Sequence, residues 1–270
     1  MHVEYNIPPP PDQRVADPAT FEGIVIEGLS KSFGPKQVLT ETDLLINKGE
    51  TLVVIGRSGE GKSVLLKHIV RLLEPDAGRI WVEGAEISEM EMSDLMEMRK
   101  KFGFLFQGAA LFDSMNVCKN VGLMLEEHSG WTMDKIKDRA CECLALVGLT
   151  DSDEKLPSEL SGGMKKRVAL ARAIVMEPEY ILYDEPTTGL DPITGDAIND
   201  LIIKLQKELG VTSIIVTHDM ASAFKVADRM AMLSRGKIVF TGTVDQVRST
   251  DHPMVRQFIE GNSQGPLGAF

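Results

Sequence analysis

At 270 residues the chain is long enough to bury a sizeable core, in one large domain or two small ones. Its net charge of -11 argues against a nucleic-acid partner, and no apolar run is long enough to cross a bilayer. A polar start leading into Pro8 to Pro11 resembles no secretory signal peptide, and three cysteines without a disulfide framework fit a reducing compartment.

Residues 1 to 20, rich in proline and without a period, read as a flexible arm. From Ile24 the pattern is strand-like. Thr51 to Ile55 is a short apolar run that predicts a buried strand. A helix follows from about Lys62, carrying Leu65, Leu66, Ile69 and Leu72 towards a core. Met90, Met92, Met96 and Met98 surround a short predicted helix and are assigned to packing. A strand is expected over 102–106, and helices over 119–125, 132–147 and 161–176. In the second of these, Cys143 shares a face with Ile136, Ala140, Leu144 and Val147, which makes it a core residue. Strands are expected over 180–183, 213–216, 229–234 and 237–241, with Arg235-Gly236 as the tight turn between the last two. Helices are expected over 192–209, capped by Asp191 with Pro192 at its first position, and over 220–226.

Buried strands alternating with helices predict an α/β fold with a largely parallel core. The helical stretch from about 108 to 160 interrupts that alternation and reads as an inserted subdomain. The expected organisation is an arm over 1–20, one domain over 21–250, and a C-terminal helix and tail over 251–270.

Gly56-Arg57-Ser58-Gly59-Glu60-Gly61-Lys62-Ser63 fits the phosphate-loop pattern GxxxxGK[ST], between a strand and a helix. Glycines there let backbone N–H groups close around phosphates, and the helix start adds positive potential through Val64. Lys62 is expected to reach the β- and γ-phosphates of a bound nucleotide, and Ser63 to ligate Mg²⁺. Glu60 puts a carboxylate beside a polyanion, so it is expected to point outward. The strand Tyr180 to Tyr183 runs into Asp184 and Glu185. Asp184 is placed to hold Mg²⁺, directly or through water, and Glu185 to polarise the attacking water. Tyr183 is an unusual polar member of an apolar strand, and its hydroxyl will need a partner if buried. Ser161-Gly162-Gly163 opens a helix and forms a second candidate anion site. For Lys165, Lys166 and Arg167, which follow, a solvated helix face is favoured over a contact with nucleic acid or anionic lipid.

Leu160-Ser161-Gly162-Gly163-Met164 resembles the signature of ATP-binding cassette (ABC) ATPases, with Met164 in place of the commoner glutamine. The resemblance runs from about Phe21 to Val247 and implies a P-loop NTPase (RecA-like) core, an N-terminal antiparallel β subdomain and the helical insert. It implies that Ser161, Gly162 and Gly163 contact the γ-phosphate of ATP on a second copy in a head-to-tail dimer. It makes Phe33 the adenine-stacking A-loop residue, with packing in the small subdomain as the competing role. Gln107 becomes the Q-loop glutamine sensing Mg²⁺ and the attacking water, Pro186 to Asp191 the D-loop, and His218 the switch histidine on the γ-phosphate. Ala109 to Met115 falls where the family receives a coupling helix from a membrane subunit, with ordinary core packing nearly as well supported.

Within the family, the runs 56–67, 106–115, 161–172 and 185–192 are similar to the ATPases of Mla-type (MlaF-like) or MCE-associated phospholipid transporters, as is the tail from Phe258. The resemblance implies an ATPase on the cytoplasmic face of the inner membrane, moving phospholipids between the two membranes and so maintaining lipid asymmetry. Its implied partners are a second copy, two integral-membrane permease subunits, a periplasmic MCE-type lipid-binding subunit and a small cytosolic regulatory subunit. The sequence stops soon after Gly265-Pro266, so the longer tail that grips such a regulator in some relatives is expected to be reduced. The alternative within transport is an importer ATPase for amino acids or another small polar solute. A non-transport cassette acting on DNA or the ribosome is disfavoured by the single cassette, the absence of heptads and the acidic charge.

Overall fold

The computed structural model describes residue 15 and residues 17–268. They form two compact units, one made of the described residues up to Met90 and those from Val216 onward, the other of Glu91–Ile215. Most of the expected N-terminal arm therefore lies outside the described residues. At its end Asp17 caps a 3-10 turn over Pro18–Thr20.

The first unit begins with strands β1 (Gly23–Phe33), β2 (Lys36–Asn47) and β3 (Thr51–Ile55), helix α1 (Lys62–Ile69), and strands β4 (Ala77–Val82) and β5 (Ala85–Glu86). Four of these strands make an antiparallel sheet in the order β2-β1-β4-β5. Ile24 lies opposite Ile46 on one side and Val82 on the other, and all three side chains are buried. β3 is buried at all five positions, as its unbroken apolar run demands. α1 buries Leu65, Leu66 and Ile69 but ends there. The chain turns through Arg71 at φ +49, so Leu72 is carried off the helical face and is 48% exposed, contrary to its expected core role.

The second unit contains α2 (Met92–Lys100), β6 (Phe102–Leu105), α3 (Val117–His128), α4 (Met133–Leu146), α5 (Gly162–Ile174), β7 (Tyr180–Asp184), α6 (Pro192–Leu209) and most of β8 (Thr212–Thr217). β6 and β7 pair in parallel from Phe102 opposite Tyr180 to Leu105 opposite Tyr183. The expected Cys143 face on α4 is buried throughout, from Ile136 to Val147, and burial pushes the Cys143 thiol up to about 11, which keeps it protonated and inert. α6 spans the range that Asp191 and Pro192 predict, with the Asp191 carboxylate accepting from the N–H groups of Ile193 and Thr194. The packing role expected for the methionines fails on α2. That helix buries only Leu95, leaving Met92 and Met96 exposed. Spacing three or four apart gives a helix a stripe, but a nine-residue helix covered on one side has room for little of it.

From Val216 the first unit resumes with the end of β8, α7 (Met220–Val226), β9 (Arg229–Ser234), β10 (Lys237–Thr243), α8 (Val244–Ser249) and α9 (Pro253–Glu260). β9 pairs in parallel with β3 and antiparallel with β10. Arg235 and Gly236, both at positive φ, make the tight turn that two-residue hairpins require. Within this unit the second sheet therefore runs in the order β10-β9-β3. This is the expected α/β architecture with a separate antiparallel β sheet.

Candidate functional site

In the first unit the glycine loop joins β3 to α1. Gly61 is the residue before the helix, at φ +102, where a Cβ would approach Val38 Cγ1 to 2.8 Å. Only glycine suits both the backbone and the space. No side chain caps α1, so its first N–H groups remain turned to the loop. Lys62 is 5% exposed. Its Nζ donates to the carbonyl oxygens of Gly56 at 2.8 Å and Arg57 at 3.1 Å, which seats the ammonium inside the loop. Ser63 follows on the first turn of the helix, then Val64.

The two charged side chains of the loop are engaged elsewhere. The Glu60 carboxylate accepts from the backbone N–H of Arg235 at the tip of the β9–β10 turn, which carries its negative charge outward from the phosphate cradle. Arg57 Nη1 donates to the carbonyl oxygen of Leu267, while Arg235 donates to that of Pro266, so the C-terminal segment is held by both. Ser58 and Gly59 form the exposed crest of the loop. A groove of about 620 Å³ runs beside this crest, lined on its other wall by Lys36, Gln37, Val38 and Thr40 of β2. Phe33, at the end of β1, is 46% exposed, with the Lys31 ammonium 5.8 Å from its ring centroid. Lys31 in turn pairs with Asp76 at 2.8 Å. His218 is exposed on the turn into α7. That turn is fixed by Asp219, which accepts from Ala221 N–H at 3.0 Å and from the Ser222 hydroxyl at 2.6 Å.

In the second unit β7 ends in Asp184 and Glu185, which are 5% and 7% exposed. Glu185 has φ +50, a left-handed backbone rare for a residue with a Cβ. Its Oε2 accepts from Thr188 Oγ1 at 3.1 Å. Tyr183, just before, is wholly buried, and burial pushes its phenol well above the ordinary range. Its hydroxyl faces Ser213 without completing a hydrogen bond, so the partner expected for it is only loosely supplied. Gln107 follows β6 on an exposed turn. Its side chain is presented to solvent, and its backbone carbonyl accepts from Lys166 Nζ at 2.6 Å.

The start of α5 is built as a capped turn. Ser161 Oγ accepts from Met164 N–H at 3.3 Å, and Ser161 and Gly162 are exposed. Gly163 is buried against α6, where a Cβ would stand 2.5 Å from Thr194 Cγ2, so the bare Gly163 backbone leaves room for the Thr194 side chain. The solvated face expected for Lys165, Lys166 and Arg167 is corrected for Lys166 and Arg167, while Lys165 is half-buried. Lys166 is 4% exposed and donates to the carbonyls of Gln107 and Glu185, and Arg167 donates to the carbonyl of Val147. α5 packs against α3, α4, α6 and β6, which encloses the face that carries Lys166.

The segment after Gln107 divides between the two roles weighed for it. Ala109 is buried, while Phe112 is 49% exposed. Ala110 and Phe112 line a cavity of about 380 Å³ with Phe102, Phe104, Phe106, Leu123, Met124 and Met176. The segment's shape is set by residues that local sequence patterns do not single out. Arg172 donates to the carbonyls of Ala109 and Ala110, both at positive φ. The Asn120 amide bonds the backbone of Phe112 and Met115.

Among the described residues no three or more His, Cys, Asp or Glu side chains gather as a metal cage. In the first unit the Ser63 hydroxyl on the first turn after the glycine loop, and in the second the buried Asp184 carboxylate at a strand end, are each hard oxygen donors of the kind that hold a cation together with phosphate oxygens and water.

A family model described as ABC transporter matches residues 39–188. The chain is 43% identical over 245 residues to the probable ribonucleotide transport ATP-binding protein mkl of Mycobacterium tuberculosis, covering 91% of this chain and 68% of that protein. It is 39% identical over 234 residues to the intermembrane phospholipid transport system ATP-binding protein MlaF of Escherichia coli, covering 87% of each. Among solved structures it is similar to the dimeric, post-hydrolysis ATP-binding cassette MJ0796 bound to ADP and Pi. The TM-score is 0.76 at 31% identity, over 82% of this chain and 98% of that one.

Proposed function

From membership of the ABC transporter family, to which this chain belongs as an ATPase subunit, we propose that it drives a bacterial phospholipid transporter. The carrying observation is the pairing, in one chain, of a phosphate loop with a seated lysine and a second, exposed glycine-rich helix start at Ser161-Gly162. A single nucleotide does not need both. Two copies arranged head to tail each lend the second turn to the other's ATP, and closing or opening that sandwich moves two membrane permease subunits. The similarity to a dimeric cassette carrying ADP and Pi supports this arrangement.

In this mechanism Lys62 leaves its carbonyl partners for the β- and γ-phosphate oxygens, and the loop N–H groups complete the cradle. Phe33 offers its exposed ring to the adenine. Ser63 and Asp184 would hold Mg²⁺, which would supply charge neutralisation on the phosphates. Glu185 orients the water and accepts its proton. Gln107 and His218 place their donors at the water and the γ-phosphoryl oxygens. The apolar cavity beside Phe112 and Met124 receives a helix of the permease. In this reading those partners hold the chain at the cytoplasmic face of the inner membrane. No helix among the described residues is itself long and apolar enough to cross a membrane.

The likeness to MlaF over 87% of both chains supports phospholipid as cargo. Purification with its permease from native membranes, mass spectrometry of bound lipid, and ATPase rates in vesicles test it. Phospholipid-dependent stimulation is the expected result. Stimulation by ribonucleotides or by amino acids instead of lipid would overturn the cargo.

A further inference from the structure

Lys166 lies on the second turn of α5, five residues beyond the cap Ser161, about 7.5 Å along the helix axis at 1.5 Å per residue. Its aliphatic stem and ammonium are almost wholly buried. A buried cation is costly unless it is neutralised and hydrogen-bonded. Here Nζ donates to the carbonyl oxygens of Gln107 at 2.6 Å and Glu185 at 3.2 Å. Desolvation lowers its pKa, and the nearby Asp184 and Glu185 carboxylates oppose that shift. Neither bond uses the side chain of Gln107 or Glu185. Each holds the backbone from which the side chain springs, and at Glu185 that backbone is in the left-handed region, which a non-glycine residue keeps only when its surroundings impose it.

We propose that Lys166 is a positioning residue that clips the Ser161 helix to the backbones of Gln107 and Glu185, so that the aim of both side chains follows the placement of α5. The helix start that meets the partner's ATP thereby sets the geometry of hydrolysis in its own subunit. This rests on the roles given above to Glu185 and Ser161.

The test is a double-mutant cycle in the full chain, with ATP affinity and single-turnover hydrolysis measured for Lys166→Met, Glu185→Gln and the pair. Lys166→Met is expected to lower kcat about 10- to 100-fold with ATP affinity changed less than about threefold, and to have little further effect in the Glu185→Gln background, because it acts through that residue. Lys166→Gln keeps two N–H donors on a shorter stem and is expected to restore part of the rate. It carries the test should the Met variant not fold. A normal kcat in Lys166→Met, or a fully additive loss in the pair, overturns the proposal. Near-normal hydrolysis by Glu185→Gln alone would instead overturn the role of Glu185.

Discussion

The Lys62 ammonium lies 2.8 Å from the carbonyl oxygen of Gly56, six residues before it in the chain. A charge already held where phosphates would arrive has only to exchange neutral acceptors for anionic ones. Charge-assisted contacts of this kind are worth about 1.5–3 kcal/mol. Lys62→Ala is therefore expected to weaken ATP binding by about 10- to 100-fold, read by titration with a fluorescent nucleotide. Unchanged affinity would mean that Lys62 only braces the loop.

Glu185→Gln keeps the size of the side chain and the donor position of Thr188 but removes the proton acceptor. Turnover is expected to fall by about 100-fold or more, while ATP affinity is retained. Nucleotide binding and phosphate release measured on the same sample separate the two. Undiminished release would assign the base elsewhere.

Ser161→Arg places a cation at an exposed helix start that already carries positive potential, and it removes a cap worth about 1 kcal/mol. Hydrolysis should be abolished, with a small loss of thermal stability and with ATP binding to the monomer intact. If the monomer no longer bound ATP, the Ser161 turn would belong to the chain's own nucleotide site.

His252 is buried, touches the Phe240 ring edge-on at 5.9 Å, and has no hydrogen-bond partner for either ring nitrogen among the described residues. Burial lowers its pKa from the usual 6.5, and that of His68 likewise. The unfolded chain takes up protons that the folded chain refuses, so stability falls as pH drops below about 6.5. The acidic side chains with lowered pKa, Asp76 and Asp191, act in a separate window, below their usual 3.8. Melting temperatures between pH 7.5 and 5.5 should fall for the native chain and fall less for His252→Leu. Equal falls would show that His252 does not titrate on unfolding in that range.

Much of this was legible because it is local. Asp191 followed by Pro192 dictates where α6 starts, and the apolar run Leu52 to Ile55 before Gly56 predicts a buried strand. What escaped depends on partners far along the chain. Lys166 reads as a surface lysine until α5 is seen enclosed by other elements. The Glu60 carboxylate bonds a backbone N–H 175 residues away, which no spacing announces. Leu72 and Met92 keep a helical period past the point where the helix ends or its cover stops.

The left-handed backbone at Glu185 carries one more consequence. Glycine would sit there without steric cost, gaining a few tenths to about 1 kcal/mol in relief of strain against a greater entropy loss on folding. Glu185→Gly should accordingly melt above Glu185→Ala, which loses the same carboxylate but keeps the strained Cβ, while neither hydrolyses ATP. Such a sturdy but idle protein would show that this corner of the chain has been kept under tension for the sake of turnover, at the expense of comfort in the resting fold.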